Sequence, residues 1–181
     1  MTNKNKGRNI SNRFSTLIYE LSKDLTPIPP TPTKIDIQEK IRIFGDLNHC
    51  VYCGDNNPRQ QDHFYPLVYK KRPTGYCNDI WNMVPSCGQC NQSKGGCMWY
   101  DWLNKKKLTK SHPRKRVGDN KVEELMKALH FFDKIGETKR QKWDPNSIRN
   151  KEQIDNLVSK IKNYCDIIQE EVNVLKTNIV L

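Results

Sequence analysis

At 181 residues the chain can build one domain with appendages but is short for two full cores. Thirty-one Lys and Arg against 20 Asp and Glu give a net charge of +11, which makes an acidic polymer, nucleic acid first, the expected partner. No apolar run approaches membrane-spanning length and the opening MTNKNKGRNISNRF has no signal-peptide core, so an intracellular, cytoplasmic protein is expected, and there seven cysteines favour metal ligation over disulfides.

In chain order, Phe14, Leu17, Ile18 and Leu21 follow the i, i+3, i+4, i+7 spacing of a short amphipathic helix, with Ser11 as its expected N-cap. TPIPPTPT, residues 26–33, holds four prolines in eight residues and reads as an extended spacer. A second helix is expected over residues 35–44, delivering the chain to Cys50. Residues 59–66 suit a strand, residues 72–75 (RPTG) a turn or loop, and residues 83–86 a second strand. CGQCNQSK suits a knuckle leading into a helix that Gly95-Gly96 would end or kink. Met98, Trp99 and Trp102 mark a further helix, with the tryptophans expected in the core. Val122, Leu125, Met126 and Leu129 mark one face of another over residues 122–132.

From residue 147 to 178, apolar residues recur three and four apart with one interruption at Glu171, the pattern of a long amphipathic helix. Its stripe suits packing on the same chain, the favoured reading, or a homodimer through this helix. The expected division is an N-terminal helical arm with a Pro-rich spacer over 1–34, a metal-stapled core over 35–104, and a basic segment with a C-terminal helical region over 105–181.

Cys50 and Cys53 (CVYC) and Cys87 and Cys90 (CGQC) have the spacing of a four-thiolate structural Zn²⁺ site, leaving Cys77, Cys97 and Cys165 free. The 33 residues between the pairs exceed what a zinc ribbon needs, and an inserted hairpin would account for them. Inside this frame stand residues of another chemistry. Hydrolysis of a phosphodiester needs a deprotonated water and a cation to neutralise developing charge. His63 can be the base. Asp62 can offer a carboxylate oxygen to Mg²⁺ if the strand is irregular there, because successive side chains on a regular strand face opposite ways. Asn91 can add an amide oxygen from the helix. His63 alone would read as an ordinary strand histidine; its neighbour and the cysteine frame change that. His49 reads as a bystander to the zinc site, and His112 and His130 show no partner.

Asp62-His63-x-x-Pro66, Asn82-Met83-Val84-Pro85 and Cys87-x-x-Cys90-Asn91-x-x-Lys94-Gly95 together resemble the HNH nucleases, the zinc-stapled branch of the ββα-metal endonucleases. The match covers about residues 50–95. The resemblance implies an α+β fold with a ββα-metal core stapled by the four cysteines and flanked by helices. It implies His63 as general base, Asp62 and Asn91 as ligands of a catalytic Mg²⁺ or Mn²⁺, and Asn82 as the central asparagine that holds the loop and orients the histidine through the backbone. Lys94 matches a frequent lysine that contacts phosphate or braces the helix. Asn91 stands where many members have histidine, and an amide oxygen there favours Mg²⁺ or Mn²⁺ over softer metals.

KKKLTKSHPRKR, residues 105–116, puts seven cations in twelve residues. Lys105, Lys106, Lys107, Arg114, Lys115 and Arg116, with Lys70, Lys71, Arg72 and Lys94, are the expected contacts to duplex DNA. The function expected is a metal-dependent DNA endonuclease, site-specific and of the restriction type. A homing or phage-encoded enzyme is the alternative, and a zinc-stapled DNA-binding module that does not cut is the rival from another class.

Overall fold

The computed structural model describes residues 13–178, and its elements in chain order are α1 (Phe14–Leu25), α2 (Lys34–Phe44), β1 (Gln60–His63), β2 (Val68–Tyr69), β3 (Arg72–Pro73), β4 (Met83–Ser86), α3 (Gly88–Lys94), α4 (Trp99–Leu103), α5 (Pro113–Val117), α6 (Asp119–Lys139) and α7 (Ile148–Asn178). This is a mixed α+β architecture, helices around two small antiparallel sheets. Among the described residues no helix is long and apolar enough to cross a membrane.

Local chemistry sets most boundaries. Ser11, the expected cap of α1, lies outside the described residues. The proline-rich stretch stays extended up to Thr33, which starts α2 with a capping box: its hydroxyl accepts from the Asp36 N–H (3.2 Å) and the Asp36 carboxylate accepts from the Thr33 N–H (3.0 Å). α3 ends where Gly95 takes a left-handed φ of 51°. α6 runs beyond the expected 122–132 because its buried face, Val122, Met126, Leu129 and Phe132, continues to Gly136 at helical spacing.

The strand expected over 59–66 is cut to Gln60–His63. After His63 the backbone leaves the ladder: the Phe64 N–H donates to the Asn82 carbonyl (2.7 Å) and the Tyr65 N–H to the Asn82 side chain (2.9 Å). The turn expected over 72–75 is also corrected. Arg72 and Pro73 pair with Val68 and Tyr69, and the reversal falls on Lys70 and Lys71, at φ 49° and 64°. A two-residue hairpin of this hand needs positive φ at both central positions. This β2–β3 hairpin is the insertion that the long gap between cysteine pairs requires.

β1 pairs antiparallel with β4, Asp62 opposite Val84 and His63 opposite Met83, and α3 packs on β1. Behind the sheet lies an aromatic core. Phe64 stacks on Trp99 (5.0 Å, 24°) and meets Phe132 edge-on (5.2 Å), while Trp81 stacks on Phe132 (5.7 Å). Trp102 is buried against Tyr52, so the tryptophans serve the core, as expected of Trp99 and Trp102.

Two histidines gain partners that the sequence did not disclose. His112 is buried, its Nε2 bonded to the Trp102 carbonyl (2.9 Å) and its Nδ1 accepting from the Arg114 N–H, so it caps α5. His130 packs edge-on against Trp99 (5.0 Å). The first half of α7 packs on α1, with Val158, Ile161 and Cys165 against Phe14 and Ile18, so self-packing describes that half. Its second half keeps Tyr164, Ile168, Val174 and Leu175 exposed.

Candidate metal centre and active-site cleft

Cys50 and Cys53 lie on the loop before β1, Cys87 is the N-cap of α3, and Cys90 is in its first turn. All four are buried, with their Sγ atoms within 4.8 Å of one another. Zn–S bonds near 2.3 Å in a tetrahedron require S···S edges of about 3.8 Å, and Cys53 and Cys87 stand 3.8 Å apart. The donor set is soft, closed and screened from water, which fits a structural metal such as zinc. Backbone bonds shape the first knuckle: the Gly54 N–H donates to the Cys50 carbonyl and the Cys50 N–H to the Asp55 carbonyl, both at 2.8 Å. Cys77, Cys97 and Cys165 stand outside the cluster, and no disulfide is present among the described residues.

Arg116 lies over this centre and not on the outer surface. Its Nη1 is 3.4 Å from Cys87 Sγ, 3.5 Å from Cys90 Sγ and 3.7 Å from Cys53 Sγ, and its Nη2 is 3.6 Å from Asp55. Four thiolates around a divalent ion carry two net negative charges, and the guanidinium offsets part of them while donating to the sulfurs.

A cleft of about 490 Å³ opens beside α3, lined by Asp62 and His63 from β1, Asn91 and the Gly95-Gly96 turn from α3, Asn78 from the loop before β4, and Tyr19 from α1. Strand, helix and arm thus converge on one space. His63 Nε2 is bonded to the Asn78 side-chain oxygen. With the proton on Nε2, as that bond assigns it, the lone pair lies on Nδ1, which has no hydrogen bond among the described residues. Burial pushes the imidazole below its ordinary range, against the opposite pull of Asn78 and Asp62, so the ring is neutral and able to accept a proton near pH 7.

Asp62 is buried, 4 % exposed, and lines the same cleft as its neighbour His63. Its Oδ2 accepts from the Tyr52 hydroxyl (2.7 Å) and pairs with Lys94 Nζ (3.0 Å), while Oδ1 has only a longer contact to the same ammonium (3.4 Å). Burial pushes the Asp62 carboxyl up and the Lys94 ammonium down, and their mutual attraction opposes both shifts. Oδ1 is therefore the less engaged of the two carboxylate oxygens. Asn91 donates its amide nitrogen to Gln60 (2.9 Å), which leaves its carbonyl oxygen as the ligand atom. One carboxylate oxygen and one amide oxygen are a sparse but hard donor set, of the kind Mg²⁺ accepts when water and phosphate oxygens complete its shell.

Asn82 immediately precedes β4. It is fully buried, donates to the Tyr65 and Cys77 carbonyls (both 3.0 Å) and accepts from the Tyr65 N–H. The chain leaving His63 is thereby fixed.

The expected nucleic-acid contacts separate into two groups. Lys70, Lys71, Arg72, Lys105, Lys106, Lys107 and Lys115 are exposed, though Arg72 pairs with Asp155. Lys94, Arg114 and Arg116 face inward. Lys94 is 1 % exposed and donates to the His63 carbonyl (2.6 Å) as well as to Asp62, so it braces β1 against α3 and does not reach a phosphate. Arg114 bonds the Leu103 carbonyl (2.7 Å), Asp119 (3.1 Å) and Glu123 (2.6 Å), tying α4 to α6. Density of charge in sequence gave no sign of this division.

Three residues at the site escaped sequence reasoning. Asn78 lies 15 residues from His63 with no fixed spacing. Tyr52, inside the CVYC knuckle, reaches Asp62 from behind. Tyr19 meets the His63 ring edge-on at 6.2 Å, from the N-terminal helical arm. Its position beside Ile18 on a helix whose next turn carries Lys23 was the one available signal. Protein-family models, curated proteins and solved structures give no match to this chain.

Proposed function

We propose that the chain is a metal-dependent endonuclease of the HNH type that hydrolyses phosphodiester bonds of duplex DNA. The observation that carries this reading is a neutral His63, its Nδ1 free, in the same cleft as the oxygens of Asp62 and Asn91. His63 Nδ1 takes a proton from water, the water oxygen adds to phosphorus, and the bond to the leaving oxygen breaks with inversion of the phosphate. A Mg²⁺ or Mn²⁺ bound by Asp62 and Asn91 would supply charge neutralisation at the phosphate and leaving oxygen. Asn78 holds the ring, Lys94 holds the His63 carbonyl and Asn82 the backbone that follows it, and Tyr19 walls the cleft. The exposed lysines of the 105–116 run and of the β2–β3 hairpin supply affinity for the phosphate backbone. The flanking helices favour site-specific cleavage of the restriction type over a nonspecific nuclease.

A second reading is a zinc-stapled DNA-binding module that does not cut. The Asp62–Lys94 ion pair favours it, since the carboxylate already has a cation. Incubation of the purified protein with a large duplex DNA and Mg²⁺ separates the two. Discrete fragments, lost on chelation and absent with His63→Ala, are expected. DNA retention without cleavage in Mg²⁺ or Mn²⁺ would leave the second reading in its place.

A further inference from the structure

Half of α7 has outgrown its support. A 31-residue helix is about 46 Å long, whereas the 12-residue α1 on which it packs is about 18 Å. Isolated helical segments of such length are marginal in water, so an overhang that keeps a regular apolar pattern calls for a partner. About 70° around α7 from the face on α1 runs a second stripe, Leu157, Tyr164, Ile168 and Leu175, widened away from that face by Ile167 and Val174. Tyr164 is 65 % and Leu175 58 % exposed, and a groove of about 590 Å³ follows the stripe at its end.

Two charges interrupt this stripe, Lys160 in its first half and Glu171 in its second, both exposed and without an ion pair among the described residues. Their placement is informative. They lie equally far from the midpoint between Cys165 and Asp166, one on each side. So do Leu157 and Val174, and so do Tyr164 and Ile167. We propose that a second copy of this chain covers the stripe, antiparallel, about a two-fold axis at that midpoint. Lys160 of each copy then faces Glu171 of the other, Leu157 faces Val174, and Tyr164 faces Ile167. A parallel pair would set lysine against lysine and glutamate against glutamate within an apolar seam, which is unfavourable. The segment before Arg13 is polar and basic, with Ile10 its one aliphatic residue after Met1, and offers little to such a stripe. For the consequence we rest on the function proposed above: a two-fold pair presents two clefts to the two antiparallel strands of a duplex.

Sedimentation equilibrium of the full chain, across micromolar concentrations and without DNA, tests the pairing. A reversible dimer is expected. Lys160→Glu and Glu171→Lys should each weaken it by about tenfold or more, because each change creates two like-charge contacts at the seam. The double swap should restore association, since only an antiparallel pair sets position 160 against position 171. Circular dichroism serves as the control that helix content is unchanged. A wild-type monomer at tens of micromolar, single variants that dimerise normally, or a double variant no better than the singles would each overturn the proposal. The mass is read without reference to cleavage: a monomer that cuts DNA refutes the pairing alone, and a dimer that does not cut refutes the nuclease reading alone.

Discussion

The cysteine centre and the His63 cleft share the short helix α3, and under the function proposed above each would hold a cation, on opposite plans. At the first, the protein supplies a complete shell of four buried sulfurs and, with Arg116, much of the counter-charge. At the second, on that proposal, it would supply two oxygens and a base in an opening of about 490 Å³ and leave the remaining positions to water and substrate. A closed shell spends its binding energy on the fold, and an open one keeps it for the reacting atoms. The same helix would serve both, because Cys90 and Asn91 are adjacent on it.

The comparison is most severely tested at Cys87. Cys87→Ser should remove zinc and with it cooperative folding, because the binding free energy of such a centre, about 10 kcal/mol or more in small zinc domains, is folding free energy. Elemental analysis and thermal unfolding check this. A variant that is metal-free yet melts as the wild type does would break the account of the staple.

His63→Ala belongs to the other plan and should leave zinc and folding intact while lowering the cleavage rate by about 10²-fold or more. DNA affinity should stay within a few-fold. The pH profile adds a sign. His63 is held below the ordinary value of 6.5, so the base stays deprotonated as pH falls through 6.5 and activity is lost only below it. Asn78→Ala removes a contact that favours the charged ring, and should move that acid limb lower still. A limb above 6.5 in the wild type would contradict the burial argument.

Arg116→Gln is expected to lower zinc retention against a competing chelator by about 10- to 100-fold, the usual cost of a lost outer-shell partner. It should leave the salt dependence of DNA binding unchanged. The smallest effect is expected on the outer surface: replacing Lys105, Lys106, Lys107 and Lys115 with glutamine lowers the slope of log K against log salt by about 0.9 for each phosphate contact removed. If Arg116→Gln flattens the slope and the lysines do not, the division between inward and outward cations is wrong.

The closed site was the more legible of the two in the sequence. Two Cys-x-x-Cys pairs define a tetrahedron by covalent geometry and knuckle spacing, whatever the intervening chain does, and the ends of β4 and α3 followed from local pattern. The cleft was legible only in its sequence-adjacent pieces, Asp62 with His63 and Cys90 with Asn91. Asn78 and Tyr19 reach it through tertiary approach, which leaves no periodic trace. The pairing of Asp62 with Lys94 was hidden for the same reason, and it corrected the reading of Lys94 as a phosphate contact. Runs of charge misled most. Arg114 and Arg116 sit in a basic run, yet turn inward because carbonyls, carboxylates and thiolates meet them there.

The contrast between a closed and an open cation site is tested most directly by following zinc content and DNA cleavage in one sample through mild chelation and Mg²⁺ replacement. The account predicts that brief chelation abolishes cleavage while about one zinc ion per chain remains bound, and that Mg²⁺ alone restores activity. Cleavage that survives chelation, or that returns only when zinc is added back, would contradict it.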